Sequence, residues 1–477
     1  MTVPASGLFT DFYQITMAQG YRAEGLHETK ACFDLFFRYN PFGGGYTMAA
    51  GLEDALKFLV DARFSNDDVK YLEDRGIFKK DFLEWLKGFT FTGDVYAAPE
   101  GAVVFPMTPI LRVEAPLAQC QLMETALLNI VNFQSLIATK SARVCDASGF
   151  GNVMEFGLRR AHGPDGGLSA SRAAFIGGSS ATSNTLAGKT FGIPVSGTHA
   201  HSWVLAFENE LAAFRAYARE YPGNTILLVD TYDTLRSGLP NAVKVGLEMK
   251  ERGEKLLGVR LDSGDLAYLS AEARKMLDGA GLADVKIVGS GELDEFIIRD
   301  LKSQGAKIDV FGVGQNLVTA KGDSAFPGVF KLSALTGEGG WSARMKISDN
   351  IQKSTLPGRK QTWRLRSSSG EMMADLLEIE GVKHDFSNGI TGRHPFLEFE
   401  KKFYDRITSA EPMLKQVMRE GKIIAKLPSL EDIRKSAQKG LETLHPTNKR
   451  LLNPHIYKVS LGPKLAEETQ KLRNYSL

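Results

Sequence analysis

Residues 258–314 read GVRLDSGDLAYLSAEARKMLDGAGLADVKIVGSGELDEFIIRDLKSQGAKIDVFGVG, and they carry the decision about the fold. Three short apolar runs (258–261, 286–288 and 309–313) alternate with two segments, 266–277 and 294–304, whose apolar residues recur every three or four positions. Runs apolar on both faces, each followed by an amphipathic helix, are the repeating unit of a parallel sheet covered by helices. Working towards the N-terminus, further runs fall at 226–229, 194–196, 174–176 and 153–156. An eighth candidate lies on the other side, at 329–332. Successive starts are about 20 to 30 residues apart, room for one strand, one loop and one helix. Helical spacing is also clear over 201–221, where Val204, Phe207, Leu211, Phe214, Ala218 and Tyr221 share a face, and over 241–252. Seven or eight units favour closure into a β/α barrel over 131–330, with a doubly wound open sheet as the alternative.

The flanks read differently. Residues 1–130 combine a helical start (11–22), a strand-like segment (32–39) and turn signals at Asn40-Pro41 and 43–45, so an α+β sandwich domain is expected there. Residues 330–400, with a strand-like 362–366, are candidates to complete it. Residues 400–477 are charged, with helical stretches at 430–444 and 463–475, and predict a mainly helical C-terminal region.

Composition narrows the class of protein. The 477 residues carry 58 Lys+Arg against 56 Asp+Glu, a net charge of +2, which removes the broad basic surface of a nucleic-acid binder but not a local basic pocket. Three scattered cysteines offer neither a disulfide framework nor a C-x-x-C motif. No signal peptide is read at the start, and the apolar stretch 117–138 is broken by Gln119, Gln121, Glu124 and Asn129, so a cytoplasmic protein without membrane spans is expected. Glycine, at 48 residues, exceeds the usual ~7%.

In a barrel the loops leaving the C-terminal strand ends form one rim, where functional groups gather. Just past the successive runs stand Glu155, Arg159 and Arg160; Thr198, His199 and His201; Asp230 and Asp233; Arg260, Asp262 and Asp265; then Gly289-Ser290-Gly291 and Gly312-Val313-Gly314. The glycine pairs are read as a phosphate cradle or as two tight turns. Asp262 and Asp265 suit sugar hydroxyls or a hydrated Mg²⁺, and equally an N-cap. Arg260, on a buried strand, needs an acidic partner or an anionic ligand. Paired Arg159 and Arg160 suit phosphate or carboxylate. A histidine nucleophile or proton shuttle is read at His199 or His201, and spacing alone does not choose.

At these residues the chain resembles the nicotinate phosphoribosyltransferases. The resemblance rests on LFTDFYQ (8–14), FFRYNPFGGG (36–45), EFGLRRA (155–161) with GPDGG (163–167), GTHAHSW (197–203), VRLDSGD (259–265) and NPHIYKVS (453–460). It implies a type II phosphoribosyltransferase fold: a β/α barrel, a flanking α/β sandwich domain and a helical C-terminal end. The implied reaction joins nicotinate to 5-phosphoribosyl 1-diphosphate, giving nicotinate mononucleotide and diphosphate. ATP is co-substrate, Mg²⁺ the cofactor, and a homodimer with shared active sites the assembly. By motif position His201 is the phosphorylated histidine, and Tyr13 the aromatic that stacks on the pyridine, reaching in from the partner subunit. Thr198 and Arg260 contact nicotinate, and Arg159 joins the anion-binding rim. The sequence departs from the pattern at Gln315, where many relatives carry Thr at a position assigned to the phosphoribosyl substrate, and at the start of 179–184. Two other classes bear on the same residues. An aldolase or isomerase would want a strand-end lysine or enediolate base, and no lysine stands in that series. A non-catalytic precursor sensor is opposed by the intact His201, Arg260, Asp262 and Asp265.

Overall fold

The computed structural model describes residues 5–350, 353–397 and 399–475. It divides into two compact units, Lys140–Ser324 and Met1–Thr139 with Ala325–Leu477.

The Lys140–Ser324 unit is built on one parallel sheet. Its strands lie side by side in the order Ala181–Thr182, Val153–Glu155, Val310–Val313, Lys286–Gly291, Leu256–Leu261 and Thr225–Leu228. They curl into a half-barrel. Leu227, Val229, Val259, Leu261 and Ile287 pack onto Ala242, Val245, Met249, Ala273 and Leu277 of the covering helices. Each buried Val, Leu, Ile or Met among them contributes about 1.5–3 kcal/mol. Because side chains alternate along a strand, Arg260 points to the opposite, concave side. Register sets Arg260 beside Leu228 and Val288, and Ser290 beside Gly312.

Five expectations for this unit are corrected. Residues 174–176 form no strand but end the helix Gly163–Ile176, since a short apolar run reads alike as strand or buried helix. Residues 194–196 supply only a single bridge, Val195 to Thr182. Residues 329–332 belong to Gly328–Gly337, which pairs antiparallel with Lys30–Phe37 in the other unit. The expected closed barrel of seven or eight strands is therefore a half-barrel of six among the described residues. The helix expected over 201–221 is two, His201–Leu205 and Glu210–Glu220, because Asn209 caps the second by accepting the Ala212 N–H at 2.9 Å.

The Met1–Thr139 and Ala325–Leu477 unit holds a seven-stranded and a six-stranded sheet. In the first, Lys30–Phe37 lies between Gly328–Gly337 and Leu111–Pro116. The region 400–477 is not mainly helical: Lys401–Tyr404, Ser409–Pro412, Lys415–Arg419, Lys422–Ile423 and Val459–Leu461 are strands, beside the helices Leu430–Glu442 and Pro463–Tyr475. Charged, exposed positions in Lys401–Tyr404, Ser409–Pro412 and Lys415–Arg419 hid the alternation; pairing with distant partners such as Asp94–Ala97 makes them strands. No helix among the described residues is long and apolar enough to cross a membrane.

Candidate active site

All the strand-end groups read from 155–315 stand in the Lys140–Ser324 unit, and hydrogen bonds tie several of them together. Arg260 is the hub. Its Nε donates to Ser290 Oγ at 2.8 Å, Nη1 to Thr198 Oγ1 at 3.0 Å and Nη2 to Asp262 Oδ1 at 2.6 Å. The Phe156 ring lies 5.7 Å from its Cζ. Three of the five guanidinium N–H bonds are thus committed, and two remain. The acidic partner that a buried-strand arginine requires is Asp262. Burial raises the Asp262 carboxyl, but the Ser290 hydroxyl and the Arg260 charge outweigh it, and the net shift is downward. Asp265 takes the capping role, accepting the Tyr268 N–H at 3.0 Å.

The two histidines separate cleanly. His199 is 6% exposed, and its Nε2 accepts the Leu228 N–H at 3.2 Å. Its ring packs against Phe214 and Tyr217. Burial pushes its imidazole down to about 4, with Arg260 and His201 adding to the effect. It is a neutral core histidine. His201 opens the helix His201–Leu205 and its side chain is 43% exposed. Its Nδ1 lies 3.1 Å from Thr231 Oγ1, and its Nε2 faces Asp230 Oδ1 at 4.0 Å.

Asp230 is the site residue that the sequence reading left without a role. Its side chain is 2% exposed; Oδ2 accepts from Ser263 Oγ at 2.6 Å and from Asp262 N at 3.2 Å, whereas Oδ1 has no hydrogen-bond partner among the described residues. A buried carboxylate with one bare oxygen aimed at a histidine is costly without a function. The available signal was its place directly after the apolar run 226–229. Asp233, by contrast, caps the following turn through Leu235 and Arg236 N–H.

Other strand-end groups serve the scaffold. Glu155 is fully buried and accepts from Gly157 N–H, from Ser171 Oγ at 2.8 Å and from Thr182 Oγ1 at 2.6 Å. Gly289 and Gly312 leave room for Ile308 and the Phe156 ring, and Gly314 for the Phe156 carbonyl. Gly291 has φ +113°, which a Cβ would strain. These glycines are therefore fixed by their neighbours, whatever they bind. Gln315, at the start of the short helix Gln315–Val318, is exposed, and so are Arg159 and Arg160, which form no ion pair among the described residues. Tyr13, in the other unit, is 51% exposed on the helix Phe12–Ala23, flanked by exposed Phe12 and Met17. No cluster of three or more His, Cys, Asp or Glu able to hold a metal occurs among the described residues.

A parallel half-barrel with cations, a histidine and carboxylates at its strand ends defines an enzyme for anionic small molecules. Comparison with known proteins narrows that class. Residues 8–132 match the family profile of the nicotinate phosphoribosyltransferase N-terminal domain, and residues 359–469 that of the C-terminal domain. The nicotinate phosphoribosyltransferase of Bacillus subtilis is 46% identical over 456 residues, covering 95% of this chain and 92% of that protein. Nicotinate phosphoribosyltransferase 2 of Arabidopsis thaliana is 38% identical over 519 residues, covering 96% and 92%. The crystal structure of human nicotinic acid phosphoribosyltransferase superposes with a TM-score of 0.86 at 35% identity, over 98% of this chain and 100% of that one. The chain belongs to the nicotinate phosphoribosyltransferase family.

Proposed function

We propose that this enzyme transfers the phosphoribosyl group of 5-phosphoribosyl 1-diphosphate to nicotinate, coupled to ATP hydrolysis through a phosphohistidine at His201. The pyridine nitrogen attacks C1 of the ribose as the C1–O bond to diphosphate breaks, through an oxocarbenium-like state; nicotinate mononucleotide and diphosphate are the products. The observation that carries the reading is Arg260: a fixed guanidinium with two uncommitted N–H bonds is a bidentate receptor for a ring carboxylate. Exposed, unpaired Arg159 and Arg160 are available to the substrate phosphates.

In the coupled step one imidazole nitrogen of His201 attacks the γ-phosphorus of ATP and ADP leaves; water later cleaves the N–P bond, releasing phosphate. The neighbouring Asp230 carboxylate stabilises the ring as it loses its lone pair to phosphorus. Mg²⁺ carried in by diphosphate would need only one or two carboxylates, and Asp262 and Asp265, whose Oδ1 atoms are already engaged, would hold it through their other oxygens. It would neutralise charge on the leaving group. Tyr13, exposed beside Phe12 and Met17, suits a ring that stacks on the pyridine of the partner subunit in a homodimer.

The test is mononucleotide formation from nicotinate, nicotinamide or quinolinate, each with and without ATP. Turnover confined to nicotinate and raised by ATP is expected. Equal turnover of nicotinamide would refute the role of Arg260 as an acid receptor.

A further inference from the structure

Ser290 lies in the Gly289–Gly291 segment, where a phosphate cradle was one reading of the sequence. Its hydroxyl is committed elsewhere. It accepts the Arg260 Nε–H at 2.8 Å and donates its single proton to Asp262 Oδ1 at 2.5 Å. A second acceptor, the Leu261 carbonyl, stands at 3.3 Å. The residue is 2% exposed. With its proton engaged, the hydroxyl has no hydrogen left to offer a phosphate oxygen.

We propose that Ser290 is a positioning residue that fixes Arg260 as a two-pronged receptor and so sets the preference for a ring acid over a ring amide. This rests on the reading of Arg260 as the carboxylate-binding group. An arginine beside an aspartate has a natural alternative: a parallel fork in which Nε and Nη2 each meet one carboxylate oxygen. Ser290 occupies the Nε position of that fork and restricts Asp262 to a single contact, through Oδ1, on Nη2. Thr198 holds Nη1 from the other strand end at 3.0 Å. The guanidinium is thereby pinned at three points, with its two remaining N–H bonds available. Without the Ser290 oxygen, Nε–H is left bare and the fork with Asp262 becomes the better arrangement. The guanidinium rolls towards Asp262 and away from Thr198, and its free N–H pair no longer meets a carboxylate squarely. A carboxylate loses two charge-assisted bonds by that movement. A carboxamide, with one acceptor oxygen, loses less.

The experiment compares Ser290→Ala and Ser290→Cys with wild type in steady-state assays with nicotinate and nicotinamide, with Arg260→Ala alongside. Cysteine keeps the side-chain volume but is a poor hydrogen-bonding partner, so it separates positioning from packing. Both Ser290 variants are expected to raise KM for nicotinate about tenfold with kcat within about twofold, and to narrow the nicotinate-to-nicotinamide ratio of kcat/KM about fivefold, because the amide loses about twofold. A Ser290→Cys enzyme with wild-type KM and wild-type selectivity would overturn the proposal while leaving the acid-receptor reading intact. If Arg260→Ala itself keeps the wild-type KM for nicotinate, that underlying reading falls instead.

Discussion

His199 and His201 sit two residues apart, and exchanging His199 for glutamine separates their roles in a single variant. The folded imidazole of His199 is pushed down to about 4 from its ordinary 6.5, first by burial, while the Ala200 carbonyl opposes the shift and Arg260 and His201 reinforce it. Because Nε2 accepts the Leu228 N–H, a proton there would also forfeit that bond. The unfolded chain therefore takes up the proton first as pH falls. The stability from keeping this ring neutral is complete above about pH 6.5 and is lost progressively down to about pH 4. The gap between those two values corresponds to about 3 kcal/mol in full, of which about 1 kcal/mol is lost by pH 6 and about 2 kcal/mol by pH 5. In His199→Gln the amide oxygen can replace Nε2 as acceptor, and nothing titrates. Urea unfolding at pH 7.5 and pH 5.0 is the assay. Wild type should lose about 2 kcal/mol more than the variant between the two conditions. The same variant should still form phosphohistidine with ATP, whereas His201→Ala should form none. Equal pH dependence in the two proteins would refute the buried, neutral state of His199. Loss of phosphorylation in a folded His199→Gln, with retention in His201→Ala, would reverse the assignment.

Two scaffold predictions follow from contacts behind the rim. Glu155→Gln leaves one of three donors facing an amide N–H₂ and should cost about 2–3 kcal/mol in urea unfolding, with KM for nicotinate little changed; an unchanged midpoint would show that the buried carboxylate is not what joins Gly157, Ser171 and Thr182. Gly238→Ala would place a Cβ 1.8 Å from the Val229 carbonyl oxygen, next to Asp230, so the strand end or the helix start must move. A loss of more than about 3 kcal/mol and a fall in kcat are expected; a wild-type melting temperature would contradict the close packing described there.

The elements legible in the sequence were those whose pattern is local. The helices expected at 241–252, 266–277 and 294–304 are Leu239–Glu251, Leu266–Gly279 and Glu295–Ser303, and the strands around Arg260 and Ser290 lie where the apolar runs put them. What escaped depended on partners far along the chain. Nothing near 329–332 says that its neighbour is Lys30–Phe37, and nothing near 415–419 says that it pairs with Asp94–Ala97. The site followed the same division. Strand-end position brought Arg260, Asp262 and the histidine pair forward as candidates. Which histidine is buried, which oxygen of Asp230 is bare, and that Ser290 faces Arg260 rather than solvent are consequences of register between strands.

Register also answers how a chain with a net charge of +2 could serve the several anionic substrates of the proposed reaction. Summed charge is not what the half-barrel presents. Arg260 is largely neutralised by Asp262, and what it offers is direction: two N–H bonds held at a fixed angle. Asp230 places negative charge beside His201, the support that the proposed phosphohistidine calls for. Full positive charge without a carboxylate partner among the described residues is carried by Arg159 and Arg160, which are exposed and cost little to keep that way. On the proposed reading, selectivity and charge fall to different arginines. If discrimination rests on the geometry around Arg260, as proposed, a substitution that adds a cation to the rim should lower KM for the phosphoribosyl substrate in steady-state assays and leave the nicotinate-to-nicotinamide ratio of kcat/KM unchanged; a changed ratio would contradict that division.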